Sequence, residues 1–163
     1  MPPAARVTDS VSHPLPPILG PGPGSSTTLI GFLPAWRGMP LAAAGAIQAA
    51  QKIADSAMKV AESATKAAVG PAAPIAFAVE QILKASLLAS MSSAITSAAA
   101  GADIHMCATP VPAPPHGPGV VIDGSATVLI DNLPAARLGN TVLEALGGPN
   151  KIAKGEMTVI IGG

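Results

Sequence analysis

The sequence predicts a mainly β protein with an α-helical insertion: a small, pseudo-threefold β-repeat domain interrupted by an Ala-rich helical hairpin. Three observations lead there. Composition divides the chain, with residues 1–39 and 101–163 rich in Pro, Gly and β-branched residues and residues 40–100 mostly Ala with Ser, Lys, Gln and Glu. The two flanks repeat each other across the middle. The middle carries polar residues at helical spacing.

The repeat is direct. Gly24–Arg37 set beside Gly124–Arg137, at a constant offset of 100, gives nine identities in fourteen positions without a gap. A weaker third copy, Gly155 to Ile161, echoes Gly124 to Ile130, and Pro-Ala-Ala-Arg occurs at both Pro3–Arg6 and Pro134–Arg137. Each unit reads as a strand, a tight turn and a second short extended segment, because Thr, Val, Leu and Ile favour a pleated backbone and Gly and Asn-Leu-Pro supply turns. So short a repeat cannot bury its own apolar face, so the copies are expected to pack on one another around a common axis. An object of that symmetry fits a trimeric partner.

The middle reads as two helices. Pro40 suits a first-turn position and Gly70-Pro71 is a stop. Between them Gln48, Lys52, Asp55, Lys59, Glu62 and Lys66 make one polar stripe, opposite faces of Ala, Ile53, Met58 and Val60. A second helix is expected from about Ala73 to Ala99, with Val79, Ile82, Leu83 and Leu87 as its apolar residues. The longest uncharged run, Ala85 to Ala102, is eighteen residues and rich in Ser and Thr. It meets the membrane-span length narrowly, and a soluble hairpin is the expected reading, with a membrane-active hairpin as its competitor.

Bulk composition excludes several classes. Nine basic and nine acidic residues leave no net charge and no basic run, which argues against nucleic-acid binding. Trp36, Phe32 and Phe77 are the only aromatics, so the core must be small and aliphatic. Met1 to Pro17 lacks a basic n-region and an apolar h-region, so no secretory signal is expected. Asp9, Asp103, Asp123 and Asp131 read as turn residues, and the Pro-interrupted Gly20–Gly24 stretch does not fit a phosphate loop.

The chain holds three histidines and one cysteine, His13, His105, Cys107 and His116, and all four lie in the β flanks. Structural zinc takes four ligands in a tetrahedron, with Cys and His preferred. In an extended segment His105 and Cys107 point to one face. The bland alternative is three ordinary histidines and a Cys serving as a small hydrophobe. A β object with so few core residues benefits from a staple, and structural zinc can supply roughly 10–16 kcal/mol of apparent binding energy. Four protein ligands leave no open position, so such a site is structural and no enzyme activity is expected. A zinc hydrolase with three His ligands and Cys107 apart from the metal is the enzymatic competitor.

These residues together resemble the PAAR family. Its namesake string is Pro134-Ala135-Ala136-Arg137, Thr158 to Gly162 looks like its closing strand, and Ala4-Ala5-Arg6-x-x-Asp9-x-x-x-His13 resembles the N-terminal prePAAR motif. The resemblance implies a β cone holding one Zn²⁺ per chain through His13, His105, Cys107 and His116. It implies binding to the tip of the trimeric spike protein VgrG of the bacterial type VI secretion system, sharpening the spike and carrying or docking effectors. The protein would then assemble in the bacterial cytoplasm and be injected, touching membrane only during puncture. Effectors or a chaperone could dock on the hairpin. The first repeat reads Pro34-Ala35-Trp36-Arg37, with Trp in place of the second Ala, and Trp36 is expected to pack the hairpin against the cone.

Overall fold

A computed structural model of the 163-residue chain describes residues 1–12, 22–107 and 116–163. Its elements run β1 (Pro3–Ala4), β2 (Leu29–Ile30), β3 (Leu33–Pro34), α1 (Leu41–Ala67), α2 (Ala72–Ala99), β4 (Ile104–Cys107), β5 (Gly117–Val121), β6 (Leu129–Ile130), β7 (Leu133–Pro134), β8 (Thr141–Glu144), β9 (Asn150–Lys151) and β10 (Glu156–Ile160). This is a β body with a helical hairpin inserted, as the composition implies.

The repeats fold alike. β2 pairs with β3 and β6 with β7, in the same register, Leu29 opposite Pro34 and Leu129 opposite Pro134. The intervening pairs Gly31-Phe32 and Asp131-Asn132 all have positive φ, the mirror-image turn that matches strand twist in a two-residue hairpin. In both copies the first serine caps its own turn: Thr28 N–H donates to Ser25 Oγ and Val128 N–H to Ser125 Oγ, each at 2.9 Å. The third copy is β10, which pairs antiparallel with β1 and so joins the two ends of the chain.

The copies close on one another through a ring of backbone hydrogen bonds. Ala5 N–H donates to Ala136 O (2.9 Å), Ala136 N–H to Trp36 O (2.9 Å), and Trp36 N–H to Ala5 O (3.0 Å). The isolated bridges Ala4–Arg137, Arg6–Ala35 and Arg37–Ala135 follow the same cyclic order. Three chains meeting at one axis leave room only for small side chains, and Ala4, Ala35 and Ala135 are fully buried there. Around them sit Ile30, Ile130 and Ile161, one per copy, in a single cluster. The threefold pattern of the sequence is therefore a threefold pattern of hydrogen bonds and packing.

After each ring position the chain turns in the same way. Arg6 N–H donates to Asp9 Oδ2, Arg37 N–H to Asp103 Oδ2 and Arg137 N–H to Asn140 Oδ1, all at 2.7 Å. Two copies make this turn with two intervening residues, Val7-Thr8 and Leu138-Gly139. The middle copy fits α1 and α2 between Arg37 and Asp103. Asp103, fully buried, also takes Arg37 Nε at 3.1 Å, Arg37 Nη2 at 2.9 Å and Gly24 N–H at 3.0 Å, so one carboxylate ties both ends of the insertion to the β body.

β4, β5, β8 and β9 form an antiparallel sheet in that order. One face carries Val120, Leu143 and Ala145 and packs with Ala44, Ile47, Ala54, Met91, Ile95 and Ala99 of the helices. The other face carries Val121 and Val142 and packs inside the β body with Ala5, Val11, Trp36, Ala136 and Ile152. Trp36 thus fills the interior of the β body. The buried cluster that joins the hairpin to it is built on Met39, Val120 and Leu143, and Trp36 meets the closing residue of the insertion through its indole N–H, which donates to Asp103 O at 3.4 Å.

The helix faces also differ from expectation. Ile53 and Val60 of α1, and Val79 and Ile82 of α2, are largely exposed, whereas Gln51, Glu80 and Lys84 are buried. Lys84 Nζ lies 2.7 Å from Glu80 Oε1 and 3.0 Å from Glu62 Oε1, an ion triad that clamps α2 to α1 beyond the β body. By length and composition α2 is long and apolar enough to cross a membrane. In this structure its C-terminal half packs on the β body through Met91, Ile95 and Ala99.

Candidate metal centre

Alternation in β4 buries His105 and Cys107 and turns Ile104 and Met106 the other way. The expectation of one shared face is met. Register carries the arrangement across the sheet: His105 lies opposite Gly119, and Gly119 lies opposite Glu144 on the far strand. Side chains two strands apart are separated by nearly 10 Å of sheet, and a side chain on the middle strand would keep them apart. Gly119 removes that obstacle. A Cβ there would stand 2.8 Å from Glu144 Cγ and 3.4 Å from the His105 ring.

The result is a fully buried carboxylate facing two imidazoles. Glu144 Oε1 is 3.2 Å from His105 Nε2, and Glu144 Oε2 is 2.9 Å from His116 Nδ1. One donor atom each from His105, Cys107 and Glu144 lies within 4.8 Å of the others, close enough for a single ion to hold all three. His116 approaches from the start of β5, its ring lying over Gly147, where a Cβ would stand 3.2–3.3 Å from three ring atoms. Imidazole, thiolate and carboxylate are all zinc donors, and the glycines around them leave the space that donor packing requires. The residues present fit such an ion.

Of the four ligands expected from sequence, His105 and Cys107 share this donor group with Glu144, His116 meets it through the Glu144 carboxylate, and His13 lies outside the described residues. Glu144 was missed. A repeat-based signal for it exists: four positions beyond the turn partners Asp9, Asp103 and Asn140, the sequence reads His13, Cys107 and Glu144. The glycine opposite it, in Gly117-Pro118-Gly119, is a second signal.

The two Pro-Ala-Ala-Arg strings pack inside the β body. Ala4, Ala5, Ala135 and Ala136 are the buried ring positions, and Pro134 ends its hairpin. Arg6 bonds Asp9 and lies 2.5 Å from Glu156. Arg37 joins Asp103 to Asp131 at 3.0 Å, and Arg137 donates to Gly162 O at 3.1 Å and to Gly163 O. Each arginine therefore fastens its copy to a different partner.

A concavity of about 370 Å³ lies between α1 and the sheet, lined by Gln48, Lys52, Asp55, Asp123 and Thr141 among others. Residues 111–163 match the family described as the PAAR motif, a stretch that holds His116, Glu144 and the second Pro-Ala-Ala-Arg string. No curated protein and no solved structure matches the chain.

Proposed function

We propose that this chain, which carries a PAAR motif, is a metal-stabilised tip that caps the trimeric VgrG spike of a type VI secretion system. The observation that carries the reading is the threefold alternation at the repeat hairpins. Ile30, Ile130 and Ile161 are buried, while their neighbours Leu29, Leu129 and Ile160 are 64%, 57% and 48% exposed. Exposed aliphatic residues in equivalent positions offer three like contacts to three like chains, and Phe32 and Met157 extend that apolar surface.

On this reading the donor cluster holds one structural Zn²⁺. His105, Cys107 and His116, with His13 from the N-terminal copy, are the coordinating residues, and soft thiolate with imidazole suits zinc. Glu144 acts as the outer carboxylate that fixes both rings, the usual partner of a metal-bound histidine. The ion supplies cross-linking of the repeats and no bond-making chemistry. With Cys107 inside the cluster, a hydrolase that keeps Cys107 apart from the metal loses support. The work of the protein is then mechanical: it assembles on the spike in the cytoplasm and is driven outward with it.

Purified chain mixed with a VgrG trimer should give a complex of one chain per trimer in size-exclusion chromatography with light scattering, and zinc analysis should return one ion per chain. No complex with any VgrG of the producing cell overturns the spike-tip reading. A second reading, membrane contact by the hairpin, has its own observation in exposed Ile53, Val60, Ile75, Phe77 and Ile82. Flotation of the whole protein with liposomes supports it, and failure to float removes it.

A further inference from the structure

The apolar stripe by which α1 packs on the sheet, Ala44, Ile47 and Ala54, contains a glutamine, Gln51, only 4% exposed. Burying an amide costs free energy unless its hydrogen bonds are replaced, so a glutamine in such a stripe has a specific partner. Its Nε2 donates to two backbone carbonyls, Glu144 O at 3.1 Å and Gly147 O at 2.7 Å. Those are the residues that shape the donor cluster. Glu144 presents the carboxylate to both histidines, and Gly147 is the floor on which the His116 ring lies.

We infer that Gln51 is a positioning residue through which docking of the helical hairpin and occupation of the metal site are coupled. The inference rests on the metal reading above. With α1 docked, both ends of the Glu144–Gly147 turn are pinned by one amide, so the carboxylate and the imidazole floor are set before an ion arrives. With the ion bound, the same turn is fixed and offers Gln51 two aligned acceptors, so α1 docks more firmly. Coupling of this kind is reciprocal by thermodynamic necessity. α2 reaches the same place from the other side, since a Cβ on Gly117, next to His116, would stand 2.7 Å from Leu88 Cδ1. The insertion thereby becomes a metal-responsive element of the β body.

The test uses the full chain and Zn²⁺ alone, with affinity measured by chelator competition. Gln51→Met keeps the volume and removes the donor, and it should weaken zinc binding about 10–100-fold, the range for lost outer partners of a metal site. Gln48→Met, one turn away in the open cleft, should leave affinity unchanged. Hydrogen exchange gives a second readout: zinc should slow exchange of α1 amides in the unaltered protein and fail to do so in Gln51→Met. A purely structural glutamine predicts equal destabilisation of the metal-free and zinc-loaded forms with the zinc affinity unmoved, and that result overturns the inference. If Gln51→Met does not fold, exchange in the unaltered protein decides, and α1 protection indifferent to zinc is the overturning result. Absence of zinc binding by the unaltered chain defeats the metal reading and this inference with it.

Discussion

Asp103 should be the most costly of three equivalent turn residues to truncate. It accepts four hydrogen bonds from Gly24 and Arg37, it is fully buried, and it closes the only copy of the turn that carries the insertion. Asp103→Ala takes the acceptor from the Gly24 and Arg37 backbone N–H groups and from Arg37 Nε, while Arg37 Nη2 keeps Gly24 O and Nη1 keeps Asp131. Breaking a buried charge pair by removing one partner costs about 3–5 kcal/mol. Asp9→Ala should cost less, about 1.5–3 kcal/mol, because the Arg6–Asp9 pair is the more exposed of the two, its side chains 17% and 5% accessible against 11% and 1% for Arg37 and Asp103. Asn140→Ala removes two neutral hydrogen bonds, to Arg137 N–H and to Asp123 O, and should cost about 1–3 kcal/mol. The assay is urea unfolding followed by circular dichroism on zinc-free protein. At an m of about 2 kcal/mol/M, a loss of 4 kcal/mol lowers the midpoint by about 2 M, a large part of a typical total stability of about 5–15 kcal/mol. Equal costs at all three positions would refute the reasoning, since shape alone, and not the buried charge, would then set the energy of the turn.

Other perturbations follow from the same geometry. Glu80 is held below its ordinary range chiefly by Lys84, Asp131 by Thr27, Ser25 and Arg37, and Glu156 by Thr158 and Arg6. Depressed carboxyls give stability that is complete above the unfolded value, near 4, and lost as pH falls through the lower folded values. Unfolding midpoints should therefore drop below about pH 4, with burial of Asp55, which pushes its carboxyl up, offsetting part of the loss. Gly117→Ala places a Cβ at positive φ and 2.7 Å from Leu88 Cδ1, and should cost about 1–3 kcal/mol. Adding Leu88→Ala relieves the contact but not the backbone strain, so a double variant as stable as Leu88→Ala alone would contradict this. Leu29→Lys, Leu129→Lys and Ile160→Lys should each shift stability by less than about 0.5 kcal/mol, yet weaken VgrG capture, with loss of about 2 kcal/mol or more at a true anchor. Unchanged capture by the triple variant would move the spike contact elsewhere.

The threefold body was legible because its determinants are local and repeated. Ala4, Ala35 and Ala135 must be small where three segments meet, and Ser25 and Ser125 close the same turn, so the copies keep the same letters there. His105 and Cys107 were legible as donors from residue type and spacing. Glu144 was not, since a glutamate in a strand reads as a solvated charge until the register sets it opposite Gly119. The hairpin faces were misread for a different reason. Alanine fills so many positions that two stripes compete, and the sheet selects the one with Ala44, Ile47, Gln51 and Ala54. Beyond the sheet, Ile53 and Val60 stay exposed among the described residues. Trp36 is the counterpart of Ala5 and Ala136 in the ring and is buried in one cluster with Val11 and Val142.

The pairing of β1 with β10 sets the order in which this chain can mature. Pro3 lies opposite Ile160, so the first strand waits for nearly the whole polypeptide before it finds its partner. The ring that holds the copies together needs Ala5, Trp36 and Ala136 at once. The two helices, by contrast, are neighbours in sequence and satisfy each other through contacts that close early. Local pairs form quickly and distant ones slowly. On the ribosome the hairpin therefore precedes the body on which it rests, and its exposed aliphatic side chains must stay soluble until the last strand arrives.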